Sequence, residues 1–130
     1  MLIKLLPAGF TLAHAGIHAS FISPRPPARD GAPAWPFDLE RSWLLTPMGL
    51  GSRAARGLGT ALLALTLAGF ALAALALLGL LPIRLWVPAT ALGSIASLSL
   101  LVVFFHRWLV LGVIIDLGLL WAVLVHGWTP

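Results

Sequence analysis

The feature that most constrains this chain is a run of 25 uncharged, mostly apolar residues from Gly57 to Leu81. An α-helix rises 1.5 Å per residue, so about 20 apolar residues cross the ~30 Å hydrocarbon core of a bilayer. A second uncharged run follows at 85–105, and a third apolar run, at 107–126, contains only Arg107 and Asp116 as charged residues. Only 9 % of the chain is charged, against about 25 % in soluble domains. These runs predict an integral membrane protein and exclude a soluble enzyme, a disordered tail and a nucleic-acid-binding module.

A further apolar segment, 2–22, precedes these three runs. It has an alternative interpretation as a signal peptide, with Lys4 before the apolar stretch and a cleavage site at Ala13-His14-Ala15. We interpret the segment as the first spanning helix. The predicted fold is therefore all-α: an integral membrane four-helix bundle, forming one domain over 1–130, with helices at about 2–22, 57–81, 85–105 and 107–126.

The connection between the first two helices, 23–56, differs in composition from the rest of the chain. Five prolines between Pro24 and Pro36 predict an extended segment. Residues 38–45 then form either a short helix at the membrane surface or an irregular loop anchored by Trp35, Phe37 and Trp43. Large apolar side chains in this connection are candidates for docking a partner subunit. These candidates are Trp35, Trp43, Leu44 and Leu45.

The basic residues are unequally divided between the two sides of the predicted bundle. Six lie on the side of the long loop, and only Lys4 and Arg84 lie on the other. Because Lys and Arg accumulate on the cytoplasmic side, we expect a bacterial inner-membrane protein with this loop in the cytoplasm and both termini outside. Its expected partners are the lipid bilayer and other membrane subunits, not nucleic acid. The six residues are Arg25, Arg29, Arg41, Arg53, Arg56 and Arg107.

Small residues recur four apart on two neighbouring helices, at Gly69 and Ala73 and at Gly93 and Ser97. Such residues allow helix backbones to approach closely in lipid, where association depends on packing rather than on the hydrophobic effect. The short connections after 57–81 and 85–105 make the last three helices antiparallel neighbours. The sequence therefore predicts tight packing between them.

Asp116 lies near the centre of the last helix, where an ionisable side chain should face the bundle and have a partner. His14 and His18 lie one turn apart on one face of the first helix. His14 is at the depth of Asp116 and is the favoured partner. Ser94 and Ser97 are the reserve partners, although serines within a helix more often bond to carbonyls of their own helix.

His106 begins the last helix on the side of His18, so His14, His18, Asp116 and His106 are candidate cofactor-binding residues. His14 and His18 are also candidate metal ligands. Three uses of this group stay open: a hydrogen bond that fixes the first helix to the last, a site for a metal, haem, chlorophyll or quinone, and a proton or solute pathway.

Motifs of self-contained enzymes are missing from the sequence. It has no cysteine, nucleophile elbow, phosphate-binding loop or dinucleotide fingerprint, which disfavours enzymatic activity. We expect a non-enzymatic accessory or assembly subunit of a larger membrane complex. The alternative is a redox protein that binds haem, chlorophyll, quinone or metal through His14, His18 and Asp116, and a third function is a homo-oligomeric transporter.

The order of polar residues resembles that of a known group. His14-x-x-x-His18 in the first helix, a long loop, two apolar helices and Gly112-x-x-x-Asp116 in the last are similar in size and layout to the DoxX-like small bacterial membrane proteins. The resemblance implies a four-helix bundle and implies no activity.

Overall fold

The computed structural model describes residues 2–27, 30–31 and 35–128, which form helices and connecting turns and include no strand. Four helical segments are long and apolar enough to cross a membrane, which confirms the all-α fold and indicates a multi-pass membrane protein. Helix α1 is Leu2–His18, extended by a 3₁₀ turn at Ala19–Ile22; α2 is Ser52–Leu77; α3 is Trp86–Val103; α4 is Val110–Leu120, extended by a π-helical turn at Trp121–Val125.

Helix α2 begins and ends earlier than the run 57–81 indicates. It starts at Ser52 because Arg53 and Arg56 fit its exposed first turns, where long side chains reach the lipid headgroups. It ends before Gly79, whose φ of 77° lies in the left-handed region that favours glycine after a helix. Pro82 follows and cannot continue a helix. The turn before α3 is therefore longer than predicted.

The segment 38–45 is irregular, so of the two alternatives the surface helix is wrong. The Ser42 hydroxyl donates to the carbonyl of Val103, and the Trp43 indole N–H donates to that of Val102 at 2.7 Å. The last carbonyls of a helix have no donor within it, so these bonds cap α3. Part of the proline-rich stretch predicted to be extended, 28–29 and 32–34, lies outside the described residues.

The helices pack in chain order, with the most extensive contact between α2 and α3. Gly69 and Gly93 meet there so closely that a Cβ on Gly69 would lie 2.5 Å from the Cα of Gly93. Contacts of α1 with α2 and of α3 with α4 are also extensive, whereas α1 and α4 touch little. The bundle is therefore closed on three sides and open between its first and last helices.

The interior is divided into three layers along the bundle axis. One apolar layer lies toward the long loop and another lies toward the termini. Between them lies a layer of buried polar side chains. The loop-side layer includes Phe21, Leu39, Leu63, Leu100 and Phe104, and the terminal layer includes Ala8, Ala73, Leu77, Trp86 and Val123.

Candidate functional site

The polar layer is built around Asp116, which α4 places in the interior with no exposed surface. Its Oδ1 lies 2.9 Å from Nε2 of His14, and its Oδ2 accepts a hydrogen bond from the hydroxyl of Ser97. The prediction that Asp116 is buried and paired with His14 is confirmed. Of the two reserve candidates, Ser97 is a second partner, whereas the buried hydroxyl of Ser94 has no hydrogen-bond partner among the described residues.

His18 completes a group of four that we call the polar cluster: His14, His18, Ser97 and Asp116. The Nε2 of His18 lies 2.8 Å from the Ser97 hydroxyl and 3.4 Å from Nε2 of His14. The expectation that Ser97 bonds to a carbonyl of its own helix is wrong. Ser99, two residues on, does bond to its own helix, at the carbonyl of Ile95.

With Asp116 ionised and both imidazoles neutral, the donors and acceptors of the polar cluster assign its protons to particular atoms. Ser97 has one hydroxyl proton and donates it to Asp116, so Nε2 of His18 must donate to Ser97. Nε2 of His14 likewise donates to the other carboxylate oxygen. The 3.4 Å approach of the two Nε2 atoms is then a contact rather than a hydrogen bond. In this arrangement the Nδ1 of each imidazole is a bare acceptor without a partner among the described residues.

Phe70 of α2 supports both imidazoles and was not among the predicted site residues. Its ring centre lies 5.1 Å from that of His14 and 6.4 Å from that of His18. The ring enters this position because Gly93 leaves room, since a Cβ there would lie 2.9 Å from it. One sequence signal could have identified Phe70. It is the single aromatic residue among the alanines and leucines of α2, and it faces a glycine of α3.

A cavity of about 240 Å³ opens beside the polar cluster, between α1 and α4. His14 and His18 lie in its wall, and Pro36 and Phe37 of the long loop close one end. The Nδ1 atoms of both histidines are buried and have no hydrogen-bond partner among the described residues. The remaining wall is mostly apolar and includes Ile17, Leu101, Trp108, Leu111, Gly112 and Ile115.

His106 is not part of this group, so only three of the four candidate cofactor-binding residues lie together. It is half-buried at the start of the last span, where its Nδ1 accepts from the backbone N–H of Trp108 at 3.3 Å.

The four candidate docking residues differ in exposure. Trp35 and Leu45 are half-buried, whereas Leu44 is exposed and Trp43 is 60 % exposed.

A metal ion fits the polar cluster poorly. One ligand atom each from His14, His18 and Asp116 lies within 4.8 Å of the others, which is a suitable spacing. A metal would need both Nε2 atoms bare, with the protons moved to Nδ1. Histidine ligands almost always donate that second N–H to an acceptor, and the described residues offer none.

The size of the cavity distinguishes between the organic cofactors left open by the sequence, which are haem, chlorophyll and quinone. An apolar cavity of about 150 Å³ holds benzene, and sites for drug-sized ligands begin at about 300 Å³. At about 240 Å³ the cavity accepts one substituted six-membered ring. A haem or chlorophyll macrocycle is too large for it.

The comparisons with known proteins add no relative: no family model, curated protein or solved structure matches the chain. The similarity in layout to the DoxX-like group therefore remains a resemblance.

Proposed function

We propose that this protein binds a lipid-soluble ring compound of the quinone class, in its reduced quinol form, in the cavity between α1 and α4. The observation that carries the proposal is the pair of unpartnered Nδ1 acceptors on His14 and His18, two buried residues in the wall of a mostly apolar cavity. A buried polar atom without a partner is unfavourable, so a ligand hydroxyl gains free energy by donating to it once the imidazole turns that atom toward the cavity.

The proton positions favour the quinol over the oxidised quinone. A quinol carries two hydroxyl groups that donate, and a bare Nδ1 accepts. A quinone offers only carbonyl acceptors, so it would need each imidazole to change tautomer and give up its Nε2 bond within the polar cluster. The opening between α1 and α4 lets the ring enter from the bilayer and leaves its apolar tail in lipid.

Calorimetric titration of the purified protein in detergent tests the proposal, with decylubiquinol and decylubiquinone as probes. We expect saturable binding of the quinol, about tenfold weaker binding of the quinone, and loss of quinol binding in His18→Phe. His106→Phe is the matched control, because His106 lies outside the cavity wall. Equal titrations for the two histidine variants would contradict the proposal. A haem absorption band in the purified protein would contradict it as well.

An accessory role in a larger membrane complex is a second proposal, and the exposed part of the long loop favours it. Trp43 and Leu44 are adjacent and exposed although bonds to the end of α3 hold this segment in place. A photo-crosslinking amino acid at Leu44 should join the protein to another membrane subunit in cells. The control position is Met48, which is 75 % exposed in the same loop. Only lipid adducts at Leu44 would argue against docking.

The proposed orientation places the long loop in the cytoplasm of a bacterial cell and both termini outside the inner membrane. It is supported by the six arginines near the loop-side ends of the helices. Alkaline phosphatase fused after Pro130 should be active, and a fluorescent protein that matures only in the cytoplasm should stay dark there. The reverse pattern would contradict this orientation.

A further inference from the structure

A second cavity, of about 400 Å³, lies at the loop end of the bundle, between the end of α1 and the first turns of α2. Two ion pairs line it. Nη1 of Arg25 lies 3.6 Å from Oδ2 of Asp38, and the guanidinium of Arg56 donates to the carboxylate of Glu40. Leu63 belongs to its apolar wall. This interfacial cavity therefore offers two cations and two anions beside an apolar surface.

The position of α2 in a bilayer sets the depth of the interfacial cavity. Its 26 residues make a helix about 39 Å long, which exceeds the ~30 Å hydrocarbon core. The excess belongs at its start, where Ser52, Arg53 and Arg56 lie, because its other end is apolar. Arg56 is about 6 Å along the axis from Ser52 and Leu63 about 16 Å. The charges therefore lie at headgroup depth and the apolar wall at acyl-chain depth.

The two ion pairs are easily replaced by a ligand. The side chains of Arg25 and Arg56 are 63 % and 64 % exposed, and ion pairs exposed in this way add little stability. A guanidinium binds a phosphate through two parallel hydrogen bonds, which a carboxylate at 3.6 Å does not provide. Both acids are then free to accept hydrogen bonds from a new cation.

We propose that the interfacial cavity binds the headgroup of a phosphoethanolamine lipid. The phosphate lies against Arg25 and Arg56, the primary ammonium donates to Asp38 and Glu40, and an acyl chain follows Leu63. A phosphoglycerol lipid brings no cation for the two carboxylates. A phosphocholine lipid brings a cation that has no N–H to donate. The proposal does not depend on the ring-binding site between α1 and α4.

Native mass spectrometry of the full chain in detergent tests the proposal with dioleoyl lipids carrying ethanolamine, glycerol or choline headgroups. We expect the phosphoethanolamine lipid to bind best and Arg56→Gln to weaken it about tenfold, the loss of one strong charge-assisted contact. Arg53→Gln is the matched control, since Arg53 is exposed in the same turns of α2 and does not line the cavity. Glu40→Gln should weaken the ethanolamine lipid and strengthen the glycerol lipid, because it removes a negative charge that competes with the phosphate for Arg56.

Two results would overturn the proposal: equal binding of the glycerol and ethanolamine lipids, or equal behaviour of the Arg56→Gln and Arg53→Gln variants. Both arginines are exposed, so neither variant should unfold the bundle, and circular dichroism checks this. Glycerophosphoethanolamine, the same headgroup without acyl chains, distinguishes the source of the ligand. If it competes as well as the lipid, the site takes a soluble aminoalkyl phosphate and the lipid assignment is wrong.

Discussion

The contact between α2 and α3 and the contact between α1 and α4 join helices in opposite ways. The first is made by small residues whose backbones touch, at Gly69 and Gly93. The second is made by the His14–Asp116 hydrogen bond beside a cavity. In lipid, where apolar burial does not drive association, helices depend on close packing or on polar bonds. Close packing leaves no room between helices, whereas polar bonding leaves room for a ligand.

The largest effect is expected where the α2–α3 contact is broken. Gly69→Leu places a side chain where even a Cβ meets the Gly93 backbone at 2.5 Å, and backbone cannot move aside cheaply. We expect a loss of about 3 kcal/mol in the free energy of unfolding, the upper end of the usual cost of overpacking. Thermal unfolding in detergent measures it. Gly57→Ala on the same helix is the control, since nothing lies within 4 Å of a Cβ there. A variant as stable as this control would mean that the two helices are not in close contact.

The next largest effect is expected from removing the carboxylate that joins α1 to α4. Asp116→Ala leaves the N–H of His14 and the hydroxyl of Ser97 without an acceptor, which costs about 2–3 kcal/mol. Asp116→Asn keeps one acceptor oxygen and should lose clearly less. Unfolding curves of the two variants, compared with the unaltered protein, measure the difference. If alanine and asparagine destabilise equally, hydrogen bonding is not what holds this side of the bundle.

A smaller loss of stability is expected from Ser97→Ala, and it should exceed the loss from Ser99→Ala in the same helix. Ser97→Ala removes the group that links His18 to Asp116 and should cost about 1–2 kcal/mol. Ser99→Ala removes only a bond to the carbonyl of Ile95 in the same helix and should change stability by less than about 0.5 kcal/mol. The same unfolding assay tests both. Equal values would show that the polar cluster adds nothing beyond a local helix bond.

Filling the cavity is expected to change stability less than breaking the polar cluster does. Ile115→Phe adds a ring at the cavity wall and should alter the free energy of unfolding by no more than about 1 kcal/mol, because there is space to occupy. The same variant should abolish decylubiquinol binding. Ile114→Phe is the control, since Ile114 is 60 % exposed on the outer face of α4. Undiminished binding in Ile115→Phe would place the ligand elsewhere.

Insertion energetics made part of this arrangement predictable from the sequence. Long uncharged runs must span, and a carboxylate within a span must find a partner at its own depth, so four helices and the His14–Asp116 pair followed. The role of Ser97 did not follow. Its hydroxyl can reach a carbonyl of its own helix or a side chain across the bundle, and only the rotation of α3 against α1 and α4 decides between them.

The irregular loop and the cavity depend on contacts far apart in sequence. Ser42 and Trp43 bond to carbonyls at the end of α3, and these distant acceptors outweigh a local helix at 38–45. The cavity exists because α1 and α4 stay apart while Pro36 and Phe37 fold over one end. Neither the separation of α1 and α4 nor the path of the loop produces a periodic pattern in the sequence, so neither could be predicted from it.

The bond between the first and last helices also has a consequence for synthesis. His14 is made 102 residues before Asp116, so it enters the membrane long before its acceptor exists. Asp116 in turn must leave the translocon in a helix, and an aspartate at a helix centre costs about 2.5–3.5 kcal/mol on insertion. The helix that carries it is the most apolar of the four spans, which offsets this cost. A ribosome that stalls before α4 therefore leaves three inserted helices in which His14 has no carboxylate to bond to.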